Sequence, residues 1–229
     1  MSVERTLHHF PLDPTSRQVR LALGEKRLAF TDVQVRYWER PRELTKLNPS
    51  GMIPVLVERE EGKAPLVLCE GRAILGHLED AHPDPALMAD DPVERAEARR
   101  LLTWLDRKFE FEASGYILHE KIEKRLLSLG PPDLGNLRLG RDGLKRHLFV
   151  FDELLQGREW LAGKRLSLAD FAAAAHLSVI DYFGDMPWRE FPALKTWYMK
   201  LKSRPAFRPL LTDRWPGLAP AGHYDDLDF

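Results

Sequence analysis

Apolar and polar residues follow two spacings in the first 81 residues of the chain. Short apolar runs bounded by turn formers indicate strands, and apolar residues three and four apart, such as Val19, Ala22 and Leu23, indicate helices. The pattern predicts strands over residues 5–10, 30–35, 54–57 and 66–68 and helices over residues 15–26, 43–47 and 72–81. The predicted order is βαβαββα, and a proline-rich segment at 82–85 ends it.

Beyond this segment the apolar spacing is helical. Asp91, Pro92 and Glu94 form a helix start signal, with an acidic N-cap, proline at the first helical position and an acid at the third. Ser167 and Asp170 form a second one, a capping box. Such a cap contributes around 1 kcal/mol of stability, so we assign both residues a structural role. The second half is therefore predicted to be all helical.

The segment Asn48-Pro49-Ser50-Gly51-Met52-Ile53-Pro54-Val55-Leu56-Val57 joins turn chemistry to a buried strand. Pro54 lies where the strand begins, a position that tolerates a residue without an N–H donor. Proline is also the residue type for which a cis bond costs only about 0.5–1 kcal/mol. A cis bond before Pro54 would turn the backbone of Ile53 outward and leave its N–H and C=O free to pair with an extended peptide.

This segment, followed by Cys69-Glu70-Gly71-Arg72-Ala73-Ile74, resembles the glutathione transferase superfamily, where Asn-Pro-x-Gly-x-(Val/Ile)-Pro-Val-Leu precedes Glu-Ser-x-Ala-Ile. The capping box at 167–170 and the final Trp197 and Arg204-Pro205-Ala206 are similar to elements of its helical domain. The resemblance implies a GST-like fold. In that fold an α/β thioredoxin-like domain with a cis-proline spans residues 1–84, an all-α domain spans residues 90–208, and residues 209–229 form a tail.

Composition and charge narrow the function classes. The formal net charge of −1 gives no long-range attraction to nucleic acid or acidic lipid. No run of about 18 apolar residues is present, so we expect no membrane insertion. The charged start and the single cysteine favour a cytoplasmic, reducing location. His8 and His9 fall on opposite faces of a strand and no HExxH motif occurs, so we predict no metal site.

The residue that would activate glutathione is replaced. In the superfamily a Ser, Cys or Tyr near the start of the first helix stabilises the thiolate. Aligning residues 14–20 with the Pro-x-x-Arg-x-Val-Arg pattern of the superfamily puts Asp13 at that position. An ionised carboxylate accepts hydrogen bonds only and raises the pKa of a neighbouring thiol. Ser16 lies one helical turn further on, and its hydroxyl could activate the thiol only if the loop were remodelled.

A second replacement affects the site for the γ-glutamyl carboxylate. Gly71 stands where the superfamily has a serine whose hydroxyl donates to that carboxylate, a bond worth about 1.5–3 kcal/mol. Glu70 is kept, but an acid at a helix start also serves simply as a dipole partner. We therefore predict no catalytic residue and no cofactor, glutathione included. The positions of this relic glutathione groove are Asp13, Ser16, Ile53, Pro54, Glu70 and Gly71.

The loop Arg36-Tyr37-Trp38-Glu39-Arg40-Pro41-Arg42 interleaves arginines with aromatic residues, the types enriched at binding hot spots. In the resembling fold this loop flanks the glutathione groove. We take Arg36, Trp38 and Arg40 as candidate partner contacts. The alternative, which stays open, is a tryptophan that packs on its own domain beside solvated arginines.

The carboxyl-terminal tail is the other candidate surface. Residues 215–222 have linker composition, and the last residues alternate apolar with acidic groups. One interpretation is a docking motif for another protein, with Leu227 and Phe229 as anchors and the aspartates as steering charges. The alternative is a frayed or self-packed tail. The candidate contacts are Tyr224, Asp225, Asp226, Leu227, Asp228 and Phe229.

Within the superfamily the chain is similar to the GST-like, FtsZ-binding cell-division proteins of alphaproteobacteria. That resemblance implies a non-catalytic homodimer at the division site, which binds FtsZ filaments and curves or bundles them. It would link them to cell-wall synthesis, with an envelope-synthesis division protein contacted through the tail. Two alternatives stay open. One is a glutathione S-transferase that conjugates glutathione to electrophiles, and the other is a glutathione-binding chaperone or stress protein without catalysis.

Overall fold

A computed structural model describes residues 3–227 of the chain. The chain forms two compact units, one made of Met1–Leu87 with Pro205–Asp213 and the other of Met88–Arg204 with Arg214–Phe229. The first is an α/β unit and the second is helical. Within residues 3–227, no helix has both the length and the apolar content that crossing a bilayer requires.

The first unit is built on a mixed sheet of four strands, β1 (Glu4–His9), β2 (Thr31–Gln34), β3 (Val55–Arg59) and β4 (Leu66–Cys69), in the order β2-β1-β3-β4. β1 and β2 are parallel, whereas β3 pairs antiparallel with β1 and with β4. Parallel neighbours need a crossover connection, and α1 (Pro14–Glu25) supplies it. The βαβαββα order predicted from the sequence is confirmed.

Two further helices, α2 (Arg42–Leu47) and α3 (Gly71–Ala81), belong to the α/β unit. The central strand β3 carries the apolar run Val55, Leu56 and Val57, and none of these residues is more than 1% exposed. A strand covered on both faces needs apolar residues at successive positions rather than alternating ones. This burial explains why the sequence shows a continuous apolar run after Pro54.

A buried ion-pair cluster joins residues 205–213 to α1. Both Nη atoms of Arg20 donate to the carboxylate of Asp213, at 2.8 and 2.9 Å, and Arg17 Nη2 contacts the same carboxylate at 3.2 Å. Arg17 also donates through Nε to the Pro11 carbonyl at 2.7 Å. Bidentate arginine–carboxylate pairs fix geometry as well as contributing energy. Residues 205–213 are therefore held in the first unit by α1.

The first part of the helical unit is one continuous helical stretch. It begins at Asp91, whose carboxylate accepts the N–H groups of Val93 and Glu94, as the start signal predicts. The stretch widens twice into π-helical turns, which the sequence pattern does not indicate. Its parts are α4 (Pro92–Thr103), the π-helical Trp104–Ser114, α5 (Gly115–Leu118), the π-helical His119–Glu123 and α6 (Lys124–Leu126). The later helices are α7 (Leu134–Gln156), α8 (Leu168–Tyr182), α9 (Pro192–Lys202) and, in the first unit, α10 (Arg208–Leu211).

Two glycines allow α7 to approach the long helical stretch closely. A Cβ at Gly143 would lie 1.8 Å from the backbone oxygen of Glu112, and a Cβ at Gly140 would lie 2.8 Å from Tyr116 Cβ. A side chain at Gly143 would thus collide with backbone, which cannot rotate away. The absence of side chains at these two positions sets the distance between the two helical stretches.

The central helix of this unit is α8, and all 15 of its residues are buried. The carboxylate of Asp170 in its first turn accepts the N–H and Oγ–H of Ser167, each at 2.9 Å. It also accepts the Leu161 N–H at 2.8 Å and the Trp197 Nε1–H at 2.9 Å. Burial raises the pKa of Asp170, and these hydrogen bonds oppose that rise. The structure gives Ser167 and Asp170 the capping role that the sequence predicts.

Gly143→Ala is expected to destabilise the helical unit by about 3 kcal/mol, the upper end of overpacking costs, because the new methyl group would meet the Glu112 backbone. Urea unfolding followed by circular dichroism measures the loss. The matched control is Gly76→Ala in α3, where an added Cβ would meet open space. Because alanine favours a helix over glycine by about 1 kcal/mol, this control should keep or raise the midpoint. Similar midpoints for both variants would contradict the close approach at Gly143.

Candidate functional site

The predicted groove positions, for which we keep the name relic groove, include the Ile53–Pro54 peptide bond, which is cis as predicted. The Asn48 side chain holds the turn before it, since Nδ2 donates to the Met52 carbonyl at 3.0 Å and Oδ1 accepts the Ser50 N–H at 3.2 Å. The N–H and C=O of Ile53 make no hydrogen bond with any residue in the range 3–227. Two backbone groups are therefore available here to an extended peptide.

Asp13 has a structural role at the position where the superfamily has a thiol-activating residue. It is the N-cap of α1, and its Oδ2 accepts the Ser16 N–H at 2.6 Å. Pro14 follows at the first helical position, so the helix start combines two favourable signals. The Ser16 hydroxyl is fully buried, and the described residues offer it no hydrogen-bond partner. The carboxylate at this end of the groove is thus fixed by the helix that it caps.

Glu70 and Gly71 form the junction between β4 and α3. Glu70 has φ 71° and ψ 132°, a conformation that costs a residue with a side chain about 1–3 kcal/mol. At Gly71, an added Cβ would lie 2.4 Å from the Thr15 Cγ2. The Thr15 methyl group therefore occupies the space that a serine at position 71 would need. Gly71 lacks the expected hydroxyl and is also required by the packing of Thr15.

The aromatic residues of the 36–42 loop pack on their own unit. The ring centroids of Trp38 and Tyr37 lie 5.4 and 6.1 Å from that of Phe10, which is 1% exposed. Trp38 and Tyr37 are themselves partly exposed. One part of the Trp38 ring therefore packs on its own unit, as the packing alternative predicts, and another part remains at the surface.

The arginines of this loop are exposed. Arg36 is 61% exposed and contacts Glu39 at 3.3 Å, an exposed pair of a kind that contributes little to stability. Arg40 lies over the turn before the cis bond, where its Nη1 donates to the Ser50 carbonyl at 3.3 Å. The structure therefore brings Arg40 next to the relic groove. It places Arg36, Trp38 and Arg40 on one surface loop.

The tail is self-packed as far as Tyr224, and this corrects one predicted partner contact. Tyr224 is fully buried, with its ring 5.0 Å from the Tyr182 ring and 5.8 Å from Lys202 Nζ. The neighbouring His223 contacts the buried carboxylate of Asp181 at 3.0 Å. A fully buried side chain has no surface left for a partner. Tyr224 is therefore the anchor of the tail within its own unit.

Beyond Tyr224 the side chains of Asp225 and Asp226 are exposed. Asp225 contacts Arg214 at 3.1 Å, and both side chains face solvent. The side chain of Asp226 is exposed, and Leu227 is 36% exposed. Two further predicted contacts lie outside the described residues, namely Asp228 and Phe229.

A buried lysine holds the end of the tail, a contact that sequence reasoning missed. Lys202 ends α9, and its Nζ donates to the Asp226 carbonyl. Burial lowers the pKa of Lys202, while the carboxylates of Asp181, Asp226 and Asp225 oppose the shift. From sequence alone, a lysine in the last turn of a helix indicates a solvated dipole partner. Its burial depends on the tail that folds over it.

Gly71→Ser is expected to lower the free energy of unfolding by about 1–3 kcal/mol, because the new side chain overpacks against Thr15. Thr15→Ala removes the obstructing methyl group, so the double variant should be more stable than Gly71→Ser alone. Urea unfolding of both single variants and the double variant measures the coupling between the two positions. Purely additive effects would contradict this account of why glycine occupies position 71.

Comparison with protein families agrees with the two units. The family described as glutathione S-transferase, N-terminal domain, matches residues 7–94. The family described as glutathione S-transferase, C-terminal domain, matches residues 140–205. The two matches fall in the α/β unit with its linker and in the helical unit, in the order seen along the chain.

Individual proteins extend the similarity to the whole chain. FtsZ-localized protein A of Caulobacter vibrioides (strain NA1000 / CB15N) is 70% identical over 229 residues, which is 100% of both chains. The solved structure of FzlA from C. crescentus superimposes with a TM-score of 0.97 at 70% identity, over 99% of this chain and 100% of that one. A glutathione S-transferase from Rhodospirillum rubrum F11 gives a TM-score of 0.93 at 45% identity, over 98% and 100%. The chain therefore belongs to the glutathione S-transferase superfamily, in the same family as FtsZ-localized protein A.

Proposed function

We propose that this protein is a cell-division protein that localises with FtsZ. The observation that carries the proposal is the 70% identity to FtsZ-localized protein A over the whole of both chains. At that level of identity, much of the surface is shared as well as the core. A shared partner is the simplest consequence of a shared surface.

We propose further that a homodimer binds FtsZ filaments in the cytoplasm at the division site. In a two-fold dimer each contact surface occurs twice. Such a dimer can bind one filament at two places or bridge two filaments, which would curve or bundle them. The first contact raises the effective concentration for the second. The exposed end of the tail would link the filaments to cell-wall synthesis through an envelope-synthesis division protein.

The loop that carries Arg36, Trp38 and Arg40 is the surface that we propose for FtsZ. Trp38 is already fixed against Phe10 and keeps part of its ring exposed. A side chain that is fixed before binding loses less conformational entropy when a partner arrives. The flanking guanidinium groups are exposed and have the geometry to pair with carboxylates. An anchored aromatic ring between arginines matches the composition of a binding hot spot.

Charge reversal at Arg36 or Arg40, or truncation of Trp38, is expected to weaken binding to FtsZ polymers. For R36E, R40E and W38A we expect the dissociation constant to rise about tenfold or more, as for hot-spot residues. Co-pelleting with polymerised FtsZ over a range of protein concentrations measures the change. Light scattering and circular dichroism establish that each variant keeps the mass and fold of the parent protein.

The matched control for these variants is Arg165→Glu, which makes the same charge change at an exposed arginine of the helical unit. This variant should co-pellet like the unaltered protein. A loss as large as that of the loop variants would mean that net charge, and not the loop, governs binding. Unchanged co-pelleting of all three loop variants would reject this surface.

A glutathione-dependent transferase is the second candidate, because the backbone of the relic groove is intact. The backbone groups of Ile53 are unpaired within the described part of the chain, and Glu70 has a positive φ of 71°. Non-glycine residues in such conformations cluster at ligand sites. What argues against turnover is Asp13, since a carboxylate close to a bound thiol disfavours the thiolate.

Substitution of Asp13 separates the two candidates, because aspartate, asparagine and serine are all good N-caps for α1. At millimolar glutathione, the unaltered protein and D13N should not conjugate glutathione to an aryl chloride. D13S, which supplies a hydroxyl at the same place, should gain measurable activity. Absorbance of the conjugate gives the rate, and thermal unfolding checks that the helix cap survives. Turnover by the unaltered protein would establish a transferase.

A further inference from the structure

A cleft of about 810 Å³ opens in the helical unit beside the tail. This tail cleft lies between the end of the long helical stretch at Lys121 and Arg125, the Pro131–Pro132 loop and residues 214–220 of the tail. All of its lining residues belong to the second unit, so it shares none with the relic groove. Clefts of roughly 300–1,000 Å³ are typical of small-molecule sites.

The apolar part of the cleft is made of rigid side chains. Its lining includes Phe183, Trp215 and Leu218 together with the prolines at 131 and 132. Prolines and aromatic rings have few rotatable bonds, so they lose little conformational freedom when a ligand is bound. The apolar body of a ligand can therefore be buried here at a low entropic cost.

The tail wall of the cleft is fixed by hydrogen bonds to α8. The Tyr182 hydroxyl donates to the Leu218 carbonyl at 2.5 Å, and the Tyr182 carbonyl accepts the Ala221 N–H at 2.7 Å. Within the tail, the Leu218 N–H donates to the Trp215 carbonyl at 3.0 Å. The cleft is thus preformed and does not depend on a ligand to order its wall.

The carboxylate of Glu120, which lies in the lining, is satisfied from within the unit. It contacts Lys124 Nζ at 2.7 Å, Asn136 Nδ2 at 2.8 Å and the Asp133 N–H at 2.7 Å. Burial raises the pKa of Glu120, but these contacts outweigh burial and bring the pKa to about 2. Glu120 is therefore ionised and fully paired within the unit. Its carboxylate is not available to pair with the cations that line the cleft.

Among the cations of the cleft, Arg125 differs from the other two. Lys121 is paired with Asp185 and Arg214 with Asp225. The Arg125 side chain forms no ion pair and no hydrogen bond with any residue that the structure describes.

The Arg125 side chain is exposed and lies beside the tail wall. It lies across the turn at Gly217, where an added Cβ would be 3.6 Å from its Nε. The planar guanidinium group of arginine can form two parallel hydrogen bonds to a carboxylate. An unpaired guanidinium beside an apolar cleft is therefore complementary to a ligand that has a carboxylate at one end and an apolar body at the other.

We propose that the tail cleft binds a small organic anion with an apolar body, whose carboxylate pairs with Arg125. The apolar body lies against the rings of Phe183 and Trp215. The proposal goes beyond the function in cell division and does not require FtsZ. A negative test of ligand binding would therefore leave the proposed function unaffected, and the reverse also holds.

Octanoate and 1-octanol test the proposal as matched probes, because they share an alkyl chain and differ in the carboxylate. In calorimetric titrations of the full chain, octanoate should bind about tenfold more tightly than octanol, as expected for one charge-assisted pair. Arg125→Gln should abolish this preference by weakening octanoate about tenfold and leaving octanol unchanged. Arg99→Gln, at an exposed arginine of α4, should change neither affinity.

Ala219→Trp provides a second variant that leaves Arg125 in place. Ala219 is exposed and lines the cleft, so an indole there should fill the cavity and abolish binding of both probes. Octanoate affinity that survives both Arg125→Gln and Ala219→Trp would overturn the proposal, since the anion would then bind elsewhere. Equal losses of octanoate and octanol in Arg125→Gln, or no octanoate binding at millimolar concentration, would overturn it as well.

Discussion

The helical unit depends on one buried carboxylate, that of Asp170. It closes the first turn of α8 and also binds the N–H of Leu161 and the indole of Trp197, so three parts of the chain meet at it. Each of these buried donors would cost about 1–3 kcal/mol if left unpaired. At the other end of α8, Asp181 and Tyr182 hold the tail. The position of the tail, and of the cleft beside it, thus follows from a helix whose start is fixed at Asp170.

In the α/β unit, the two replacements in the relic groove are also structural contacts. Asp13 caps α1, and Gly71 leaves room for the Thr15 methyl group. The two positions differ in how strictly the structure requires the residue that is present. Several residue types cap a helix equally well, so the side chain at position 13 can change while the helix start is kept. At position 71 no side chain fits unless Thr15 moves. The first replacement is therefore the easier one to reverse.

The features that could be predicted from the sequence depend on residues close together in the chain. The helix caps, the turn before Pro54 and the order of the elements are of this kind. The features that could not be predicted arise from distant contacts. Asp213 pairs with Arg20 across 193 positions. The burial of Tyr224 and the obstruction by Thr15 likewise follow from packing, which leaves no periodic or motif signal in the sequence.

Because the tail is ordered rather than disordered, its exposed end can recognise a partner through a fixed geometry. Tyr224 is fixed by burial and Lys202 holds the Asp226 carbonyl, so the side chains of Asp225 and Asp226 project from a backbone that is already placed. A disordered tail would lose about 1–2 kcal/mol of backbone entropy per residue on binding, and an ordered one avoids much of that cost. Its charges act only over a Debye length of about 8 Å at physiological salt. Recognition at Asp225 and Leu227 would therefore depend on the fixed geometry of this edge more than on the number of charges it carries.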